Sequence, residues 1–226
     1  MIKYSGTDNL DVMSNAVNYN RFLTELVLSQ ARVKDQILDF GAGIGTIAKR
    51  ISEYDYNVRC IEPDQNQASI ISDAGLTVYS DLSLINNNSL DYIYSLNVLE
   101  HIKDDHALLC QLYHKLKTGG RLLIYVPAFQ VLYSSMDQKV GHYRRYTRKS
   151  LGDLVSKAGF NVTKTSYADS FGFPASILYR LLGDESGTLN TQTIVTYDRF
   201  LFPASLFADK LLRPFIGKNV LLVGVK

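Results

Sequence analysis

The chain has few of the features that mark secreted, membrane-spanning and nucleic-acid-binding proteins. It contains only two cysteines, Cys60 and Cys110, which excludes a disulfide framework and fits a reducing compartment. No run of about 18 or more apolar residues occurs, so no membrane-spanning helix is expected. The N-terminus shows no apolar segment or cleavage pattern, and a net charge of +2 does not demand nucleic acid as a partner. We therefore expect a cytoplasmic protein that does not bind nucleic acid.

Strand and helix patterns alternate along most of the 226 residues. Predicted strands lie at 36–40, 57–62, 76–79, 91–95, 121–126, 160–167 and 219–225. Predicted helices lie at 10–32, 44–53, 65–74, 104–117 and 147–158. This alternation predicts a doubly wound α/β sheet with helices on both faces. We expect one domain over 1–226, with an N-terminal helical cap at 1–35 and a helical, aromatic insert at 169–217.

The most informative segment is ILDFGAGIGTIAKR, residues 37–50. An apolar strand turns on three glycines and continues as a helix, and glycine allows both positive φ and a close approach to a ligand. Such a turn forms a nucleotide-type pocket at the carboxyl edge of a sheet. Glu62 ends the next apolar run, where its carboxylate can accept both hydroxyls of a ribose. Thr46 occupies the position of the third glycine of the dinucleotide fingerprint, which disfavours the alternative of an NAD-dependent oxidoreductase.

With Asp39 two residues upstream, the G-x-G-x-G pattern resembles the first motif of class I S-adenosylmethionine (SAM)-dependent methyltransferases. The resemblance extends over residues 15–165 and the final strand. It implies a Rossmann-like seven-stranded sheet that is mostly parallel with an antiparallel last strand. It also implies SAM as the cofactor and the following cofactor-binding residues: Tyr19, Asp39, Gly41, Ala42, Gly43, Gly45, Glu62, Pro63, Asp81, Leu82, Leu96 and Asn97.

Each implied contact has a structural alternative. Asp39 is expected to reach the amino group of SAM and Glu62 the ribose, but both can also be solvated carboxylates at strand ends. Asp81, with Leu82, matches the adenine edge, although aspartate is common in turns. Leu96 and Asn97 match the segment that closes over the methionine group. Tyr19 either packs near the cofactor or is a core contact of an amphipathic helix.

The segment SLNVLEHIKD after the fourth predicted strand resembles the LEH signature of small-molecule methyltransferases. His101 of this signature is either a general base for an acceptor that must lose a proton or a histidine that shapes the loop. Ubiquinone-pathway and small-RNA O-methyltransferases carry a glutamate where Asn97 stands here. Because that hard carboxylate ligand is absent, we expect no metal.

A basic segment, 136–151, follows the fifth predicted strand and contains the sequence GHYRRY. It resembles a signature of bacterial methyltransferases that are associated with polysaccharide functions. Arginine forks suit carboxylate or phosphate groups, so Tyr143, Arg144 and Arg145 are predicted to bind an anionic acceptor. His142 and Tyr146 are further catalytic candidates. The alternative is a solvated basic loop.

The insert at 169–217 is rich in phenylalanine and leucine beside basic residues. It can line an acceptor pocket, form a lid or dimer face, or pack as an ordinary crossover. Its part 199–217 can also contact a membrane peripherally, as basic amphipathic elements do. The sequence thus predicts a SAM-dependent methyltransferase for a small or lipid-linked, anionic acceptor, such as a sugar intermediate. A SAM-binding module without catalysis is the alternative from another class.

Overall fold

The computed structural model describes residues 12–182 and 190–226. A seven-stranded sheet has the order β3-β2-β1-β4-β5-β7-β6. Its strands are β1 (Gln36–Phe40), β2 (Asn57–Ile61), β3 (Thr77–Tyr79), β4 (Leu90–Leu96), β5 (Leu116–Pro127), β6 (Asn161–Ala168) and β7 (Asn219–Val225). Only β7 is antiparallel to its neighbours, β5 and β6. The predicted Rossmann-like sheet with an antiparallel last strand is therefore confirmed.

Helices lie between the strands and in the late insert. They are α1 (Val17–Leu28), α2 (Thr46–Ser52), α3 (Gln65–Asp73), α4 (Asp105–Lys115), α5 (Ser135–Val140), α6 (Arg148–Lys157), α7 (Gly172–Leu182), α8 (Thr191–Thr196) and α9 (Phe202–Leu212). A π-helical turn, Tyr197–Leu201, joins α8 to α9. Residues 1–11 of the predicted cap and 183–189 of the predicted insert lie outside the described residues.

The first helix is shorter than the predicted 10–32. Residues 12–14 form a separate helical turn, and α1 begins at Val17. The side-chain amide of Asn20 donates to the carbonyls of Met13 and Ser14. This local side-chain bond competes with helix continuation, since it offers those carbonyls another donor.

Two apolar clusters cover the two faces of the sheet. The run 122–126 of β5 alternates between them and is buried throughout, as expected for a strand covered on both sides. The carboxyl ends of β1, β2, β4 and β5 therefore meet at one edge of the sheet. Because β7 runs the opposite way, its first residue, Asn219, lies at that same edge. This edge carries the candidate site.

Candidate active site

The glycine turn after β1 adopts the backbone geometry that its composition predicts. Gly41, Gly43 and Gly45 have φ values of +80°, +57° and +77°, in the left-handed region that glycine enters without strain. A Cβ at Gly41 would lie 2.5 Å from a methyl carbon of Val98, just beyond β4. Gly41 therefore lets the loop after β1 pack directly against the loop after β4.

Two acidic side chains lie at the ends of the neighbouring strands β1 and β2. Glu62 accepts hydrogen bonds from the N–H groups of Gly43 at 2.8 Å and Asp64 at 3.0 Å. Burial raises the pKa of Glu62, and these two bonds offset part of that rise. Asp39 is buried, and this burial, with the charge of Glu62, raises its pKa to about 7. The turn thus combines N–H donors with carboxyl groups in one place.

Asn97 connects the end of β4 to helix α1. Its φ is +55°, a region that asparagine tolerates better than most residues. Its Nδ2 donates to the Tyr19 hydroxyl at 3.4 Å, and its Oδ1 accepts from Asn219 at 3.4 Å. Burial raises the pKa of Tyr19 to about 12, so this phenol is neutral at physiological pH. Tyr19 thereby lies at the sheet edge that carries the candidate site and also packs against the core.

Helix α1 is held in place by the late insert. The Asp198 carboxylate accepts hydrogen bonds from the N–H groups of Asn18 at 2.9 Å and Tyr19 at 2.8 Å. Ala16, at the N-cap position, has no side-chain acceptor of its own, so Asp198 satisfies donors that the helix start leaves open. The ring of Phe202 packs edge-on against Tyr19 at 5.5 Å between centroids. The sequence did not predict the bond between Asn18 and Asp198, because these two residues lie 180 positions apart.

The remaining predicted cofactor residues also lie at the carboxyl ends of β2, β3 and β4. Asp81 accepts a hydrogen bond from the Ser83 N–H at 2.8 Å, and the bonds from Ser83 lower its pKa. Leu82 is buried, Pro63 is exposed, and Leu96 is half-buried. The structure therefore gathers the whole predicted set at one sheet edge, whereas the contact of each with SAM stays a prediction.

His101 and His142 form a pair at the next loop along this edge. Their rings pack edge to face, with centroids 4.5 Å apart. Burial, with the neighbouring charge of His142, lowers the pKa of His101 to about 4. His101 is therefore neutral at physiological pH and able to accept a proton, although a low pKa also makes it a weak base.

Asp137, which sequence inspection missed, organises the basic loop. It is completely buried and lies 2.6 Å from His142 Nδ1. Two of the Arg145 nitrogens, Nε and Nη2, each donate to its carboxylate at 2.9 Å. Burial alone would raise the pKa of Asp137, but the hydrogen bonds from His142 and Arg145 lower it well below its usual range. The guanidinium of Arg145 is thus engaged in hydrogen bonds inside the protein. This favours a role for Arg145 in holding the loop over its predicted contact with the acceptor.

Asp105 organises the other half of the GHYRRY sequence. Arg144 Nη1 and the Tyr146 hydroxyl donate to its carboxylate at 2.8 and 2.9 Å. Tyr146 is buried, and burial together with Asp105 raises its pKa well above the ordinary value, so its contacts favour a positioning role over catalysis. Tyr143 is 56% exposed, and the Arg144 guanidinium, itself partly exposed, lies 5.9 Å from its ring centre. Tyr143 and Arg144 are therefore the substrate-binding candidates that reach the surface.

One cluster has the composition of a metal site. Glu100, His101 and His142 each offer one ligand atom, and these atoms lie within 4.8 Å of one another. Neither carboxylate oxygen of Glu100 has a hydrogen-bond partner within the described part of the chain, and burial raises its pKa to about 8. The side chain of Asn97 contacts Tyr19 and Asn219. Asn97 stands where metal-dependent relatives carry a glutamate, and the expectation that no metal binds stays a prediction.

Comparison with known proteins identifies the family. Residues 15–165, more than half of the chain, match the family model of a methyltransferase domain. The chain belongs to this methyltransferase family. A curated relative, phosphoethanolamine N-methyltransferase 2 of Caenorhabditis elegans, is 29% identical over 147 residues. That alignment covers 55% of this chain, and the chain spans only 32% of the length of the relative.

Solved structures share the fold. A SAM-dependent methyltransferase from Archaeoglobus fulgidus has a TM-score of 0.62 and 16% identity, with 92% of this chain and 94% of that chain covered. Phosphoethanolamine N-methyltransferase 2 of Haemonchus contortus in complex with SAM has a TM-score of 0.61 and 19% identity. This alignment covers 90% of our methyltransferase and 52% of the H. contortus chain.

Two of these solved structures are named for SAM, and the residues of this chain fit that cofactor. The turn at Gly41 approaches the β4 loop too closely for a side chain, and Glu62 already binds the N–H of Gly43. Asp39 and Glu62 supply carboxylates suited to an ammonium group and to ribose hydroxyls. When bound, SAM supplies an activated methyl group on a sulfonium centre.

Proposed function

We propose that this methyltransferase acts on a small or lipid-linked acceptor that carries an anionic group, such as a phosphate-bearing amine or sugar intermediate. One observation carries the proposal: Arg144 and Tyr143 reach the surface next to the half-buried His101–His142 pair, at the sheet edge that carries the predicted cofactor residues. The C. elegans relative is named for phosphoethanolamine, which also bears a phosphate. This name supports an anionic acceptor without specifying which one.

In the proposed reaction the chain mainly positions the reactants. A sulfonium methyl group is already activated, so in-line alignment of the acceptor carries most of the rate enhancement. Arg144 would orient the anionic group. Its Nη1 donates to Asp105 and its Nη2 to the Lys103 carbonyl, and the remaining N–H groups of the guanidinium can pair with a phosphate. His101, neutral at physiological pH, would accept a proton where the acceptor must lose one. Asp137 and Arg145 would hold the loop that carries these groups.

The proposal is tested with matched pairs of acceptors that differ only in a phosphate group. Methyl transfer from labelled SAM should be detectable with the phosphorylated member and much weaker with its dephosphorylated partner. Arg144→Ala should raise the acceptor KM while the SAM dissociation constant stays unchanged. Lys149→Ala removes an exposed cation a few residues away and is the matched control. Equal use of both acceptors, or equal effects of the two substitutions, would reject the anionic acceptor.

A further inference from the structure

An exposed apolar surface runs along α9 and the turns on either side of it. Phe200, Phe207, Leu211 and Phe215 have exposed fractions of 65%, 73%, 79% and 75%; we call these four residues the apolar face. The opposite side of α9 packs on the protein through Phe202, Ser205 and Asp209. Large apolar side chains that are exposed together, rather than singly, mark an interaction surface.

Within residues 190–218, all the exposed charges are positive. Arg199, Lys210 and Arg213 are exposed, with Arg199 over the ring of Phe200 at 5.4 Å and Lys210 over Phe207 at 5.1 Å. The two acidic residues of the same stretch, 190–218, are buried and already engaged. Asp198 caps α1, and Asp209 accepts hydrogen bonds from the N–H groups of residues 169 and 170. The surface is therefore apolar and cationic, with no exposed acid within 190–218.

We infer that the apolar face docks this enzyme onto an anionic lipid surface. Phenylalanine and leucine side chains can enter the boundary between headgroups and acyl chains, while neighbouring arginine and lysine contact anionic headgroups. No helix among residues 12–182 and 190–226 is long and apolar enough to span a membrane, so the docking is peripheral. A symmetric contact between two copies is disfavoured, because it would bring the cations of one copy against those of the other.

The apolar face is physically joined to the cofactor edge. Asp198, two residues before Phe200, binds the first N–H groups of α1. Phe202 packs on Tyr19 and also on Phe22, with ring centroids 5.7 Å apart in the second pair. Docking would thus orient the edge that carries the site relative to the lipid. The inference goes beyond the proposed function, because docking does not require the acceptor itself to be a lipid.

Vesicle sedimentation tests the inference with the full chain. Wild-type protein should sediment with phosphatidylcholine vesicles that contain phosphatidylglycerol, and much less with phosphatidylcholine alone. The double variant Phe207→Ser/Leu211→Ser should lower the partition constant by about tenfold or more, since two large apolar side chains no longer enter the lipid. Lys210→Glu/Arg213→Glu should abolish the preference for anionic vesicles.

The control replaces two apolar residues that are also more than half exposed but lie elsewhere. Val33→Ser/Leu84→Ser alters side chains that are 82% and 58% exposed and should bind vesicles like wild type. Thermal melting and SAM affinity should be unchanged in all variants.

Wild type that stays in the supernatant, or a control that loses binding as strongly as the apolar-face variant, would overturn the inference. So would a wild-type dimer that binds no vesicles and becomes a monomer on Phe207→Ser/Leu211→Ser, because the face would then join two copies. Each of these results leaves SAM-dependent transfer intact and so is distinguishable from failure of the proposed function.

Discussion

The glycine turn and the GHYRRY loop lie at the same sheet edge, but the sequence predicts the geometry of the turn much better than that of the loop. In the turn, the backbone itself creates the site, since three glycines adopt left-handed φ and Gly43 donates its N–H to Glu62. In the loop, side-chain charge suggested a surface for anions. The structure instead pairs Arg145 with buried Asp137, and Arg144 with Asp105. A local backbone motif therefore predicts its own geometry, whereas a run of charges does not predict which of them reach solvent.

The strongest test of this contrast is Arg145→Ala. Removing one partner of a buried ion pair leaves the Asp137 carboxylate without its guanidinium partner, which costs about 3–5 kcal/mol of unfolding free energy. Denaturant unfolding measures this cost, and the exposed Lys149→Ala should leave stability unchanged as the control. If Arg145→Ala unfolds like wild type but raises the acceptor KM, the arginine binds the acceptor and the contrast fails.

The next effect concerns the turn. Glu62→Ala should weaken SAM binding by about 1.5–3 kcal/mol, because charge-assisted hydrogen bonds to the ribose would be lost. Calorimetry on the folded variant measures the change, with the exposed Glu53→Ala as the control. Unchanged SAM affinity would show that Glu62 serves only the Gly43 N–H and that the cofactor lies elsewhere.

A smaller effect is expected where the late insert holds α1. Asp198→Ala removes the acceptor for two helix-start N–H groups, which should lower stability by about 0.5–2 kcal/mol. Hydrogen exchange should quicken at the amides of Asn18 and Tyr19 first, while the amides of β4 keep their protection. Unaltered exchange at those two amides would mean that the insert does not stabilise the helix start.

The elements that the sequence predicted best are those set by local patterns. The bounds of β1 and β7 are as predicted, because an apolar run between turn signals fixes both ends of a strand. Helix α5 and its buried Asp137 were not predicted, since neither has an apolar period long enough to recognise. The cap from Asp198 depends on a contact between distant parts of the chain, which no local pattern encodes. The pairing of His142 with Asp137 spans only five residues, but it depends on the turn at Gly141 that ends α5, which the residue types alone did not reveal.

The smallest effect that we predict near neutral pH concerns the electrostatics of the glycine turn, at Asp39. Burial first, and then the charge of Glu62, raise its pKa to about 7, so a substantial fraction of this carboxyl is protonated at neutral pH. The amino group of SAM is a cation and favours the ionised form. SAM affinity should therefore rise with pH, by about twofold between pH 7 and pH 8 and by up to about tenfold per unit below pH 7. Calorimetry in buffers of different ionisation enthalpy should also show a proton released on binding.

The variant Asp39→Asn tests the origin of this pH dependence. It should bind SAM more weakly and lose the dependence on pH, because an amide does not titrate. If the dependence persists in Asp39→Asn, the proton comes from another group, and Glu62, whose pKa burial also raises, becomes the group to replace next.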